Sequence, residues 1–302
     1  MKNRVISGIC YVAVLLGFYL LKIFVHDFFF DALIYFFAIV GTFEMLRAMK
    51  EHITTAEKWI VVSFALITIP ACAAVEEYAQ FGLHVTCICF FALAVALLSL
   101  LVLAHDNTTL ESVGASLLSA VYPSLLLCLL VLTNHIHPEA MRVSSDRLVE
   151  IRFNSDLLIL MLFVVSPISD TLAFLFGKFL GKFFPAKMAP TISPNKTIIG
   201  AIGGLIGGAL GAGILYFVYQ WLFVGAFIDM QIWLPVYLAI GFISAVANEF
   251  GDLVESCIKR KVGLKDMGKI MPGHGGILDR IDGTLFACGA IYLLYSLIVL
   301  VA

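Results

Sequence analysis

Apolar runs about 20 residues long alternate with short polar connections along the whole chain. Nine stretches are long and apolar enough to cross a bilayer as helices: 5–23, 28–46, 59–75, 81–104, 113–133, 157–175, 198–223, 232–247 and 281–301. This pattern predicts an all-α polytopic membrane protein of about nine transmembrane helices. The first run is too long and too mixed for a secretory signal, and no small-residue cleavage site ends it, so it reads as a span. In the seventh run Gly200, Gly203, Gly204, Gly207, Gly208, Gly211 and Gly213 recur largely at spacings of three and four. That is the small-residue pattern that lets membrane helices approach closely. A dinucleotide site would need a strand ahead of the glycines, and none is predicted.

Composition agrees with the pattern. Of 302 residues, 61% are hydrophobic and only 13% charged, against about a quarter charged in soluble domains. The net charge of −2 says little about partners, because the charge is so unevenly placed; no nucleic-acid partner is expected. The seven cysteines form no CxxC and lie mostly within spans, where they read as small buried hydrophobes.

Lysine and arginine set the expected orientation. With nine spans and the N-terminus inside, fifteen of these residues fall on the cytoplasmic side and four (Lys22, Arg142, Arg147, Arg152) outside. The polar loop 134–156 is the longest connection. It divides an N-terminal set of transmembrane helices, 1–150, from a C-terminal catalytic transmembrane region, 151–302. His135 and His137 lie in that loop without a third ligand nearby and read as part of an ordinary outside connection. In the first half, Glu44 is expected to form an interfacial ion pair with Arg47, while Glu76 and Glu77 are expected in solvent.

Polarity returns in the sixth span, where Pro167 bends the helix beside Asp170. Ahead of the seventh span stand Ser193, Lys196 and Thr197. Hydroxyls, a cation and free amides at a helix start could receive a phosphate; equally, Ser193 or Asn195 could simply cap the helix.

The densest chemistry runs from Asn248 to Asp282. If the eighth span continues as helix through Arg260, then Asn248, Asp252, Glu255, Ser256 and Lys259 share one face. Asp252 and Glu255 would point at a common volume, and Asp279 and Asp282 would form a second pair. Adjacent carboxylates require a cation or a shared proton, and four hard oxygen ligands suit Mg²⁺, particularly with phosphates completing its shell. From Lys259 to Asp282 there are six Lys or Arg against three Asp. Together with the glycine turn at Gly275 and Gly276, these pieces match phosphoryl or nucleotidyl transfer. The alternative is a belt of interfacial salt bridges. His274, between glycines, could meet a base, a phosphate or only a backbone carbonyl.

The run Ser256-Cys-Ile-Lys259-Arg260, four residues, Lys265-Asp266-Met-Gly268, followed by Pro272-Gly-His274-Gly275-Gly276-Ile-Leu-Asp279-Arg280-Ile-Asp282, resembles the signature of the phosphatidate cytidylyltransferases, or CDP-diacylglycerol synthases. Gly251-Asp252-Leu253-x-Glu255-Ser256, the Asp170 segment and Ser193-Pro194-x-Lys196-Thr197 are similar to other segments of that family. The chain departs from it at Asn195 (usually lysine), Ile199 (usually an acid) and Asn248 (usually glutamine).

The resemblance implies transfer of CMP from CTP to phosphatidate at the cytoplasmic face of a bacterial cell membrane. It implies Asp252 and Asp279 as Mg²⁺ ligands, with Glu255 and Asp282 in support and room for a second cation. Lys259, Arg260 and Lys265 would meet the polyphosphate, with Asp266, His274 and Arg280 alongside. Ser193, Lys196, Thr197, Ser256, Gly275 and Gly276 would line the nucleotide and lipid phosphates. The expected partners are CTP, phosphatidate and membrane lipid, and the glycine-rich spans are compatible with a homodimer. Two other classes use membrane carboxylates. A cation-coupled transporter leaves the basic excess unexplained, and a CDP-alcohol phosphotransferase would carry a D-G-x-x-A-R segment that is missing here.

Overall fold

A computed structural model describes residues 2–136, 140–144, 147–150, 155–224, 230–273 and 275–301. Among the described residues, nine helical stretches are long and apolar enough to cross a membrane. The protein is an all-α, multi-pass membrane protein, and among the described residues its β-structure is confined to two small hairpins. The chain divides into two compact units, Met1–Ile136 with Lys259–Ile281, and His137–Ile258 with Asp282–Ala302.

The first unit holds α1 (Lys2–Phe24), α2 (Phe28–Ala48), α3 (Thr55–Ala79), α4 (Gly82–Leu103), α5 (Leu110–Ala120) and α6 (Leu126–Asn134). Between α5 and α6 runs a π-helical turn, Val121–Leu125, around Pro123. Proline has no amide hydrogen to donate, and the wider turn absorbs the break in the ladder. The start of α3 is locked by Glu57, which is fully buried. Its carboxylate accepts the Thr54 amide at 2.7 Å, the Thr54 hydroxyl at 2.8 Å and, from α5, the Ser112 hydroxyl at 2.6 Å. A capping box thus doubles as a tie between two helices. Leu46, Val61, Leu93, Leu97 and Val113 form the apolar core beneath it.

At the opposite end of α2, Asp31 and Asp27 meet residues that the sequence placed in solvent or in an outside loop. Asn134 donates to Asp31 at 2.9 Å and to the Asp27 carbonyl at 3.1 Å. His135 lies between Asp31 (2.8 Å) and Glu77 (2.9 Å), and His26 stands 3.6 Å from Glu77. Glu77 belongs to α3 rather than to a loop, and Glu76 accepts the Gly82 amide at 2.7 Å. Burial alone would depress the basicity of His135; the carboxylates of Asp31, Glu77 and Asp27 outweigh it, and the imidazole is held above its ordinary value of 6.5. A group whose folded value is raised contributes stability that is present below the unfolded value and lost as pH rises through the folded one. The thermal midpoint is therefore expected to fall as pH is raised from 6 into the alkaline range, and His135→Gln to flatten that slope. Unfolding curves followed by intrinsic fluorescence at several pH values check this; an unchanged slope in the variant refutes the assignment.

The second unit contains α7 (Ser155–Phe179), α8 (Ile198–Tyr219), most of α9 (Met230–Lys261) and most of α10 (Leu278–Val301). The hairpins are β1 (Ala140–Ser144) with β2 (Arg147–Glu150), and β3 (Lys187–Ala189) with β4 (Ser193–Thr197). The glycine stripe of α8 packs against two neighbours at once. A Cβ at Gly203 would lie 2.5 Å from the Phe176 ring of α7, and one at Gly208 would lie 2.4 Å from Ala245 of α9. Only glycine allows both approaches, as the spacing predicted.

Candidate active site

In the second unit, polar groups converge where α7, β4 and α9 meet. Asp170 of α7 accepts a hydrogen bond from the Asn248 side-chain amide at 3.0 Å, and Ser166 donates to the Asn248 carbonyl oxygen. One turn along α9, Glu249 and Asp252 hold the Lys196 ammonium between them at 2.8 and 2.7 Å. Ser256 donates to the other oxygen of Asp252 at 3.3 Å. Burial disfavours a charged lysine, but Asp252 and Glu249 more than offset it and raise the basicity of Lys196 above the usual 10.5. Lys196 is thus a fixed cation at any physiological pH.

Glycines make room for these groups. A Cβ at Gly204 would come within 2.9 Å of Glu249, and α10 crosses α9 where Gly251 and Gly283 face each other. A Cβ at Gly251 would reach the Asp282 carbonyl at 2.5 Å. Asp282 therefore starts its stretch of α10 against α9, where its charge acts on Asp170 together with those of Glu249 and Asp252. A cavity of about 580 Å³ opens among Asp170, Lys178, Lys196, Thr197, Glu249 and Asp252.

Thr197 caps α8, its hydroxyl accepting the Gly200 amide at 3.1 Å. The cap is therefore neither Ser193 nor Asn195; both lie in β4, whose extended backbone carries Lys196 to the acids. Ser193 is half-buried on that strand.

A second constellation lies in the first unit, around the start of α10. Asp279 is buried; one of its oxygens pairs with Lys259 at 2.8 Å, and the other accepts the amides of Met267 (2.9 Å) and Gly276 (2.8 Å). Glu44 reaches the same helix start from α2 and accepts the amides of Ile277 at 3.1 Å and Leu278 at 2.9 Å. The first amides of a helix have no partner within it and carry the positive end of its dipole, so two carboxylates there are favourable. A Cβ at Gly276 would fall 2.3 Å from Glu44, and one at Gly275, with φ of +88°, would fall 2.6 Å from Asp279. The turn is glycine-rich because two acids press against its backbone.

Glu44 was expected to pair with Arg47. It turns instead to backbone amides, because buried N–H groups at a helix end compete strongly for an acid within reach. With Gln at this position the NH₂ group would face one of the two amide donors while the oxygen accepts the other, so Glu44→Gln is expected to cost about 2 kcal/mol and to lower the thermal midpoint. Chemical denaturation of the variant measures this, and an unchanged midpoint would contradict the clamp.

The expected site residues therefore fall into two sets. Lys196, Thr197, Asp252, Ser256 and Asp282 belong to the second unit; Lys259, Gly275, Gly276 and Asp279 belong to the first. Glu255 is fully buried in α9 and Asp252 half-exposed. Arg260, Lys265, Asp266 and Arg280 are exposed. His274 lies outside the described residues, as does His137. Asn248 joins the site from the face on which periodicity placed it, and Glu249 and Lys178 join it without having been singled out. Glu249 could have been found as an acid three residues before Asp252, on the same helical face, at the end of an apolar span.

The donor set of Asp170, Glu249, Asp252 and Asp282 is all oxygen, the kind that suits a hard divalent cation. As placed, Lys196 fills the gap between two of them. Among the described residues no group of three or more His, Cys, Asp or Glu is gathered to hold a metal ion. Asp279 already has both oxygens engaged.

Comparison with known proteins adds a family to this geometry. The chain is 43% identical over 129 residues to the phosphatidate cytidylyltransferase of Staphylococcus aureus (strain COL). It is 39% identical over 128 residues to that of Staphylococcus haemolyticus (strain JCSC1435). Each match covers 42% of this chain and 45% of the relative, so the chain spans about half the length of the curated relatives it matches. The family model for cytidylyltransferases matches residues 2–298, nearly end to end. The chain belongs to the cytidylyltransferase family.

Proposed function

We propose that this protein is a phosphatidate cytidylyltransferase, which converts CTP and phosphatidate to CDP-diacylglycerol and pyrophosphate at the cytoplasmic face of the cell membrane. One observation carries the reading beyond family membership: a lysine clamped between two acids at the wall of a polar cavity of about 580 Å³. Ionisable groups at membrane depth are costly and mark function by default.

In the reaction, a phosphate oxygen of phosphatidate attacks the α-phosphorus of CTP. The new P–O bond forms as the bond to the β-phosphate oxygen breaks, and the pair leaves with pyrophosphate. A phosphate monoester is already largely dianionic at pH 7, so no general base is needed. The barrier is repulsion between anions, about 4 kcal/mol for each pair of unit charges 4 Å apart at an effective dielectric near 20. Lys196 and Lys178 bring fixed positive charge to the cavity, and the hydroxyl of Thr197 lies at the same wall. Ser193 and Ser256 stand by as hydrogen-bond donors.

Mg²⁺, when bound, would neutralise phosphate charge and polarise the α-phosphate. Asp252 and Asp282, with Asp170 and Glu249 beside them, would hold it, and four acids leave donors for a second cation. Glu255 contributes from within α9. The basic excess of the connections that carry Lys58, Lys182 and Lys259 supports a cytoplasmic site. Glycine-lined α8 is compatible with a homodimer.

Supplying phosphatidate with CTP labelled at either the α or the γ phosphate decides the chemistry. Label from the α position is expected in the lipid, with pyrophosphate released. Label from the γ position in the lipid would make the protein a lipid kinase, and label in neither would refute the assignment.

A further inference from the structure

The last turn of α2 and the first turn of α3 enclose a second cavity, of about 550 Å³, lined by Phe43, Leu46 and Ile53 below and by Arg47, Lys50 and Lys58 above. Thr54 and Thr55 complete the wall, and no acid is among the lining residues. Three acids are near these cations in sequence: Glu51 is exposed and does not line the cavity, and the other two are committed elsewhere. Glu44 accepts the amides that start α10, and Glu57 is buried among Thr54 and Ser112. Leu46 belongs to the apolar core and Ile53 packs against it, so the floor is rigid. Phe43 and Leu46 lie inside the span Phe28–Ala48, whereas Lys50 lies beyond its end. Arg47 lies at the end of that span and Lys58 in the first turn of the span Thr55–Ala79, so the cavity sits at the edge of the membrane and joins an apolar wall to three cations.

We propose that this cavity binds the phosphate headgroup of an anionic glycerophospholipid, with the upper part of an acyl chain along Phe43 and Leu46. Soluble phosphate would use the cations but not the apolar floor; a lipid uses both. Basic pockets between membrane helices are suited to anionic headgroups on charge grounds alone. The site is built from the first unit and shares no residue with the Lys196 cavity, so it is a lipid site independent of catalysis and does not rest on the reaction assigned above.

Trp59 follows Lys58 directly, is 65% exposed and is one of three tryptophans. With Trp221→Phe and Trp233→Phe it becomes the sole reporter in the full chain. In phosphatidylcholine nanodiscs, brominated phosphatidylglycerol is expected to quench Trp59 more strongly than brominated phosphatidylcholine at equal mole fraction. Arg47→Gln/Lys50→Gln/Lys58→Gln is expected to shift the phosphatidylglycerol midpoint at least about tenfold. Lys58→Gln alone should give part of that shift and guards against misfolding of the triple variant. Lys182→Gln, remote in sequence and outside the cavity lining, should give none. Equal quenching by the two lipids overturns the proposal, as does an unmoved midpoint in the Lys58 variant. An equal shift from Lys182→Gln would mean diffuse attraction, and loss of the preference in millimolar inorganic phosphate would mean a soluble anion; either result also overturns it.

Discussion

Asp252→Asn is expected to reduce the proposed CMP transfer to phosphatidate about a thousandfold while the folded protein survives nearly unchanged. The side chain of Asp252 is 41% exposed, and its partner Lys196 keeps Glu249 at 2.8 Å. Losing one half-exposed ion pair costs at most about 1 kcal/mol. The chemical loss is of another order. Asn keeps the shape but removes the charge that would hold a divalent cation and balance Lys196. A thousandfold corresponds to about 4 kcal/mol of barrier, within what removal of transition-state charge stabilisation does elsewhere. Initial rates with labelled CTP, together with the thermal midpoint in detergent, test both halves. Turnover within tenfold of the parent at saturating Mg²⁺ would remove Asp252 from the chemistry.

Asp279→Asn should behave differently, losing stability and turnover together. The side chains of Asp279 and Lys259 are 3% and 15% exposed. Removing the acid leaves a cation with little access to water, a change that costs about 3 kcal/mol. Asn can still offer its oxygen to the Met267 and Gly276 amides, but then its NH₂ group faces the Lys259 ammonium. Adding Lys259→Met to Asp279→Asn should therefore recover part of the stability, since the buried positive charge is gone, without recovering turnover. Denaturant midpoints of the single and double variants form the test. If Asp279→Asn unfolds at the parent's midpoint, the brace around the start of α10 is not what holds the turn.

These two aspartates illustrate what could be read from residues in a line. Both were expected as metal ligands, because both are acids at the edge of a span within a polar stretch. Their surroundings separate them: Asp252 is half-exposed beside a cavity, and Asp279 is buried under two amides and a lysine. Periodicity placed Asn248, Asp252, Glu255, Ser256 and Lys259 on one face, provided that the helix continues through Arg260, and α9 does run to Lys261. It could not say that the next residue along, Glu249, would share Lys196 with Asp252. Glu44 was the larger surprise. Read locally, it had Arg47 three residues away; in the fold its partners are Ile277 and Leu278, more than 230 positions later in the chain. Once Glu44 turns inward, Arg47 is left to line the basic cavity with Lys50 and Lys58.

The sequence by itself determined the number of spans, the all-helical class, the packing role of the α8 glycines and the family. Each of these depends on local composition or on a contiguous motif, and a bilayer converts apolar length directly into a helix that crosses it. The tertiary structure alone decided which charge each acid serves. Buried carboxylates are satisfied by whichever donors the packing brings within about 3 Å, and those donors come from other helices, at separations no spacing rule encodes.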